Sequence, residues 1–173
     1  MSVETAVSTA ETREEALARM VREHQSSLLR LCYLSLRDTE LARDAVQETF
    51  LKAYEGLSKF RGESSERTWL TRIALNVCHD VYRANWYRLM DGRALPDIAD
   101  PLAGPSEDSI ELSLAIARLP RKLREVILLY YYEGMSMSEI AEVLHMAKST
   151  VFTRHKHALE RLHITIEGGK GHD

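Results

Sequence analysis

Nowhere in this chain do apolar and polar residues alternate for long. Apolar positions recur at intervals of three and four, which lays a stripe along an α-helix and leaves no strand to pair into a sheet. An all-α fold is expected. Leu17, Met20, Val21, His24, Leu28, Leu31 and Cys32 form a first stripe. Asp38 or Thr39 can cap a second helix that buries Leu41, Ala45, Val46, Phe50, Ala53, Tyr54 and Leu57. Its other face carries Arg43, Asp44, Gln47, Glu48, Lys52 and Glu55. The run Lys59 to Ser65 breaks the pattern, and Ser64 or Ser65 can cap a third helix that buries Leu70, Ile73, Ala74, Val77, Cys78 and Val81. Residues 13–90 thus read as a three-helix unit with room for one further short helix.

A second block, 112–165, follows. Pro120 fits the first turn of a helix running to about Tyr132. Ser136 and Glu139 have the S-x-x-E spacing of a capping box, with Met135 and Ile140 where a hydrophobic staple closes. That helix should end near Leu144, and another should run from about Lys148 to about His163. Two helices joined by about three residues suggest a helix-turn-helix. Val151, Ala158 and Leu162 would face inward, leaving Phe152, Thr153, Lys156 and His157 for a groove; the alternative is a helical hairpin with a solvated basic face.

Charge is divided between the blocks. The 173 residues carry a net charge of -3, but residues 13–90 hold 13 basic and 11 acidic side chains, and residues 118–163 hold eight and five. Between them, residues 91–117 hold one basic and six acidic side chains, with Pro96, Pro101 and Pro105. Residues 91–111 are expected to be a flexible acidic linker. So little excess positive charge predicts weak binding to free DNA, because non-specific affinity comes from neutralised phosphates. A protein of this kind that reads DNA needs something else to hold it there.

Two long segments resemble a known family. Residues 119–162, LPRKLREVILLYYYEGMSMSEIAEVLHMAKSTVFTRHKHALERL, resemble the C-terminal DNA-binding domain of bacterial sigma factors and, more loosely, the LuxR-type helix-turn-helix. The D-A-V-Q-E-T-F-L-K-A-Y run, the F-R-G-E-S-S loop and the R-T-W-L-T-R-I-A-x-N segment resemble the N-terminal domain of extracytoplasmic-function (ECF) sigma factors of the sigma-70 family. The resemblance implies a sigma domain 2 over 13–90, a linker over 91–111 and a sigma domain 4 over 112–165. It implies a protein that joins core RNA polymerase, recognises promoter DNA and opens it, without being an enzyme. An anti-sigma factor is a further implied partner. The alternative is a LuxR-like regulator that binds operator DNA without joining the polymerase; a purely protein-binding helical adaptor is a third class.

The same resemblance assigns residues. Asp44, Gln47, Glu48, Phe50 and Leu51 would contact the polymerase, with Phe50 as a hydrophobic anchor in a polar rim. Phe60, Arg61, Glu63, Ser64 and Ser65 would shape a pocket for a flipped base of the minus-ten element, with Gly62 allowing close backbone approach. Trp69, Arg72, Asn76, His79 and Arg83, spaced by three and four with Ser65, would track the opened strand, although Trp69 reads equally well as a core residue. Lys148, Ser149, Thr150 and Arg154 would hold phosphates at the minus-thirty-five element, and Phe152, Thr153, Lys156 and His157 would enter its groove. The sequence departs from the family at His145 for a turn glycine, at Ala147 for a serine cap and at His155 for an apolar residue. A linker of about 21 residues reaches about 70 Å when extended, enough for promoter elements about 50 Å apart.

No catalytic constellation, nucleotide loop, metal or other cofactor is expected. Cys32 and Cys78 lie on apolar stripes, and His155 and His157 point about 200° apart on a helix. No apolar run approaches the roughly 18 residues of a membrane span. The Ser-, Thr- and Glu-rich start, Met1 to Arg13, does not read as a secretory signal, so a cytoplasmic location is expected.

Overall fold

The computed structural model describes residues 10–86 and 107–169; most of the expected linker lies outside them. Among the described residues there is no strand. Helix α1 (Arg13–Leu36) opens with a reciprocal cap, the Glu15 amide donating to the Thr12 hydroxyl and the Thr12 amide donating to Glu15. It ends at Arg37, in the left-handed region at φ 57°. Asp38 caps α2 (Thr39–Gly56), accepting from the Leu41 amide at 2.9 Å. A single 3-10 turn (Leu57–Lys59) supplies the expected extra helix. Ser65 caps α3 (Glu66–Ala84), accepting from the Thr68 amide. Leu28, Leu31, Val46, Ala53, Leu70, Ala74 and Val77 fill the space between the three helices.

Helix α4 (Glu107–Arg118) begins inside the segment expected to be linker, because Ile110, Leu114, Ala115 and Ile116 continue a helical stripe and the three linker prolines, ending at Pro105, lie upstream. Pro120 stands just before α5 (Arg121–Ile127), its carbonyl accepting from the Leu123 and Arg124 amides. The helix then widens over Leu128–Tyr132, where the Glu133 amide donates five residues back to the Leu128 carbonyl.

Helix α6 (Met137–Leu144) has the expected capping box: the Ser136 amide donates to Glu139 at 2.7 Å and the Glu139 amide to the Ser136 hydroxyl at 3.2 Å. Met135 and Ile140, the two staple positions, are both buried. His145 takes up the left-handed conformation (φ 52°) that ends α6, and its side chain is exposed. Helix α7 (Lys148–Gly169) runs six residues past the expected end, since no proline follows and the first glycine is Gly168. Val151, Ala158 and Leu162 are buried as expected. The apolar cores of the two helical units join into one cluster.

Candidate nucleic-acid interface

On α2, the alternation of small buried residues with charged ones leaves Arg43, Asp44, Gln47, Glu48 and Lys52 on one open face. Phe50 is not on that face. It is 8% exposed and packs in the core, because it lies four residues after Val46 and three before Ala53 on the buried stripe. Its neighbour Leu51, 58% exposed, is the apolar residue on the surface beside Gln47, Glu48 and Lys52. The open face therefore carries one exposed apolar residue among polar ones, at Leu51 and not at Phe50.

The loop between α2 and α3 carries a concavity. Phe60 stacks on Trp69 with ring centroids 4.5 Å apart and planes 24° from parallel. Lys52, Gly56, Lys59, Phe60, Trp69, Ile73 and Asn76 line a cleft of about 370 Å³. This mixes two cations, an amide and an aromatic wall, the ingredients for a phosphate and an unstacked base. Trp69 belongs to both readings: partly buried against the core, it turns its other side to the cleft. Arg61 and Glu63 are exposed at the loop's tip, and Ser65 is committed to the cap. Gly62 lies at φ 71°, and nothing stands within 4 Å of where a Cβ would be. Its φ lies in the left-handed region, which glycine adopts without a steric penalty.

The polar stripe along α3 splits into two edges. Trp69 and Asn76 face the cleft, while Arg72 and His79 turn towards the C-terminal unit. Arg72 lies 3.6 Å from Glu142 and donates to the Glu142 carbonyl; His79 pairs with Glu125. Arg83, at the far end, is exposed and paired with Asp80. Arg67, absent from the expected stripe, reaches Glu133 at 3.2 Å. Burial pushes the Glu133 carboxyl above its ordinary pKa, opposed by the charge of Arg67. Nothing in the local sequence pointed to Arg67, because its partner lies 66 residues away.

On α7, Lys148, Ser149, Phe152, Thr153, Lys156 and His157 are exposed along the expected outer side, and Thr150 and Arg154 are half-buried. The Lys148 ammonium sits 6.0 Å from the centre of the Phe152 ring. His155 is explained by aromatic neighbours: it stacks on Tyr131, whose hydroxyl lies 3.0 Å from His155 Nε2, and it touches Tyr130. Burial lowers its pKa and favours the neutral ring. Ala147 begins α7 without a side-chain cap; its carbonyl accepts from Thr150 and Val151.

Two side-chain clusters lie away from these surfaces. Glu23, His24 and Glu66 converge to within 4.8 Å. Arg19 already supplies a cation there, bound to Glu66 at 2.8 Å and to Glu23 at 3.3 Å. Cys32 and Cys78 meet between α1 and α3, both buried, and the Cys78 side chain together with burial raises the pKa of Cys32. No described helix is long and apolar enough to cross a membrane.

The organisation of this surface has counterparts. Residues 20–88 match the family pattern described as Sigma-70 region 2, and residues 109–162 match Sigma-70, region 4. The RNA polymerase sigma-H factor of Pseudomonas aeruginosa is 33% identical over 169 residues, covering 89% of this chain and 88% of that one. The ECF RNA polymerase sigma factor SigW of Bacillus subtilis is 32% identical over 157 residues, covering 82% and 83%. The chain belongs to the ECF group of the sigma-70 family.

As an RNA polymerase sigma factor it acts in transcription initiation. The region 2 match removes the LuxR-like alternative, which accounts only for the second block. The solved structure of CnrH in complex with the cytosolic domain of CnrY is similar at 27% identity and a TM-score of 0.68, covering 90% of each chain. The sigma factor RpoE from Bartonella quintana, solved with the anti-sigma factor NepR, shares the fold at a TM-score of 0.69 and 23% identity, covering 86% of this chain and 97% of that one. Within the sigma factor, the region 2 match contains α2, the aromatic cleft and α3, and the region 4 match contains α6 and α7.

Proposed function

We propose that this ECF sigma factor docks on core RNA polymerase through the exposed face of α2, with Leu51 at its centre and Asp44, Gln47, Glu48 and Lys52 around it. Once docked, α7 enters the duplex at the minus-thirty-five element. Lys148, Ser149, Thr150 and Arg154 hold phosphates, and Phe152, Thr153, Lys156 and His157 reach the groove. The cleft walled by Phe60 and Trp69 takes an unstacked base of the minus-ten element, with Asn76 available to hydrogen-bond its edge. Arg61, Glu63, Ser64 and Ser65 shape the approach; Arg72, His79 and Arg83 follow the strand. Residues 13–90 form the core-binding and melting domain and 112–165 the duplex-reading domain, which the helix beginning at Glu107 extends towards the acidic tether. The polymerase carries out the chemistry, and the protein works in the cytoplasm.

The observation that carries this reading is the Phe60–Trp69 stack beside Asn76 and two lysines: an aromatic wall, an amide and cations around one cleft. The weak binding to free DNA expected from the small basic excess is consistent with it. Each reader is weak alone, and tethering both to one large assembly raises their effective concentration. An anti-sigma factor covering the two units is a further partner, supported by the complexes in which CnrH and the Bartonella RpoE were solved. Run-off transcription with purified core enzyme and a promoter library tests the reading. Promoter-specific transcripts that require the protein are expected; a folded protein that neither binds core enzyme nor starts transcription overturns it.

A further inference from the structure

Another concavity, which shares only Arg83 with the surfaces assigned above, lies where the end of α3 meets the start of α5. Tyr82, Arg83, Trp86, Pro120, Arg121 and Lys122 line a cleft of about 410 Å³, a volume within the range of about 300–1,000 Å³ typical of small-molecule sites. One part of its wall is aromatic. Trp86 is 47% exposed, and its ring meets that of Tyr82 edge-to-face, with centroids 5.6 Å apart and planes at 79°. Such a pair covers at most one face of the indole and leaves the other to a planar guest. The rest is cationic. Arg83 is paired with Asp80, and Arg121 Nε lies 4.0 Å from Glu125, a carboxylate already engaged by His79. The Arg121 guanidinium also stands 5.7 Å from the centre of the Tyr82 ring. Lys122 is exposed and has no ion pair among the described residues. One turn further along α5, Arg124 is buried with its Nε unpaired. Burial holds the Arg124 pKa down, and the charges of Arg37 and Arg121 push it the same way against Tyr82 and Glu125. Positive charge here exceeds what Asp80 and Glu125 neutralise.

We propose that this cleft binds a free purine nucleoside di- or triphosphate, with the base stacked on Trp86 and the phosphates held by Arg121 and Lys122 together with Arg83. The two kinds of wall sort the candidates. An inorganic polyanion leaves the indole unused, and a neutral aromatic molecule leaves three cations unused; a nucleotide answers both. A nucleic-acid strand offers the same two groups but only one charge for each base. Three cations around one aromatic face instead match the several charges that a di- or triphosphate concentrates at one end. A purine is favoured because its fused rings cover more of the indole than a single ring does. Trp86 comes from the N-terminal unit and Arg121 and Lys122 from the C-terminal one, so neither holds the whole site. The site is independent of the promoter reading, since neither the cleft beside Phe60 nor the outer face of α7 contributes to it.

The test is isothermal titration calorimetry on the full chain without polymerase, using ATP, GTP, inorganic tripolyphosphate, adenosine and a short oligodeoxyadenylate. ATP or GTP should bind saturably at a single site, about tenfold more tightly than tripolyphosphate or adenosine. Trp86→Ala should weaken ATP binding about tenfold, the loss of one base–aromatic stack, and Trp86→Phe should recover most of it. Lys122→Glu should weaken ATP by a similar factor, with the largest loss at low salt. Both positions are exposed, so helix content and melting temperature should be unchanged by circular dichroism. Asn76→Ala, in the cleft beside Phe60 and Trp69, should leave ATP binding as it is. Absence of saturable binding by either nucleotide at millimolar concentration overturns the proposal. Tripolyphosphate bound as tightly as ATP, with Trp86→Ala silent, overturns it by making the cleft a general anion patch. Oligodeoxyadenylate bound more tightly than ATP through Trp86 and Lys122 overturns it in favour of a strand site. Loss of ATP binding in Asn76→Ala and not in Trp86→Ala overturns it by placing the nucleotide in the other cleft.

Discussion

Leu51 and Phe50 are neighbours in sequence with opposite surroundings, and replacing each by alanine should separate docking from folding. Leu51 is 58% exposed. Complete burial of a leucine side chain contributes about 1.5–3 kcal/mol, so covering the exposed part in a complex is worth about 1–2 kcal/mol. Leu51→Ala should therefore weaken binding to core polymerase roughly five- to thirty-fold and leave the stability of the free chain nearly unchanged. Phe50 is 8% exposed, and Phe50→Ala opens a core cavity, which typically costs about 3–5 kcal/mol of fold stability. The assays are equilibrium binding to labelled core enzyme and urea unfolding monitored by circular dichroism. Core affinity unchanged in Leu51→Ala refutes the placement of the anchor on α2. Equal loss of stability in both variants refutes the burial argument beneath it.

Three further outcomes follow from other parts of the molecule. His145→Gly relieves a left-handed residue with an exposed side chain and should stabilise the helix-turn-helix by up to about 1 kcal/mol, seen as a melting temperature a few degrees higher; a lower one would show that His145 makes a contact that matters. Phe60→Ala removes the ring stacked on Trp69 and should reduce promoter opening by about 1–3 kcal/mol per base held, read as fainter permanganate reactivity of unpaired thymines, while core affinity is kept because the α2 face is untouched. Glu66 has its pKa held below the ordinary value of 4.5 chiefly by Arg19, with His24 adding to it. Its contribution to stability is therefore complete above pH 4.5 and is lost as the pH falls through the lowered folded value. Urea unfolding between pH 3 and 7 should show a shallower acid decline in Glu66→Gln than in the unmodified chain.

Much of the local structure was legible without coordinates because it depends on residues a few positions apart. The Ser136–Glu139 capping box, the caps at Asp38 and Ser65 and the inward positions Val151, Ala158 and Leu162 are all decided within one or two helical turns. Spacing puts Phe50 on the buried stripe, where the structure keeps it, whereas the family resemblance set it among the contact residues; the exposed apolar residue is its neighbour Leu51. His145 was readable as the residue at the left-handed turn, whereas the role of His155 was not, since Tyr131 stands 24 residues away.

Periodicity, caps and the order of two family segments were enough to determine an all-helical chain of two units and the helices that carry exposed polar faces, since each depends on short-range spacing or on linear order. Only the tertiary structure decided which side of α3 remains open. The partners of Arg67, Arg72 and His79 lie between 46 and 70 residues away in sequence, and a charged side chain carries no local mark of whether its counter-ion will be water, phosphate or a glutamate from another helix. That choice is made by packing, which brings buried carboxylates to a face that spacing alone describes as exposed.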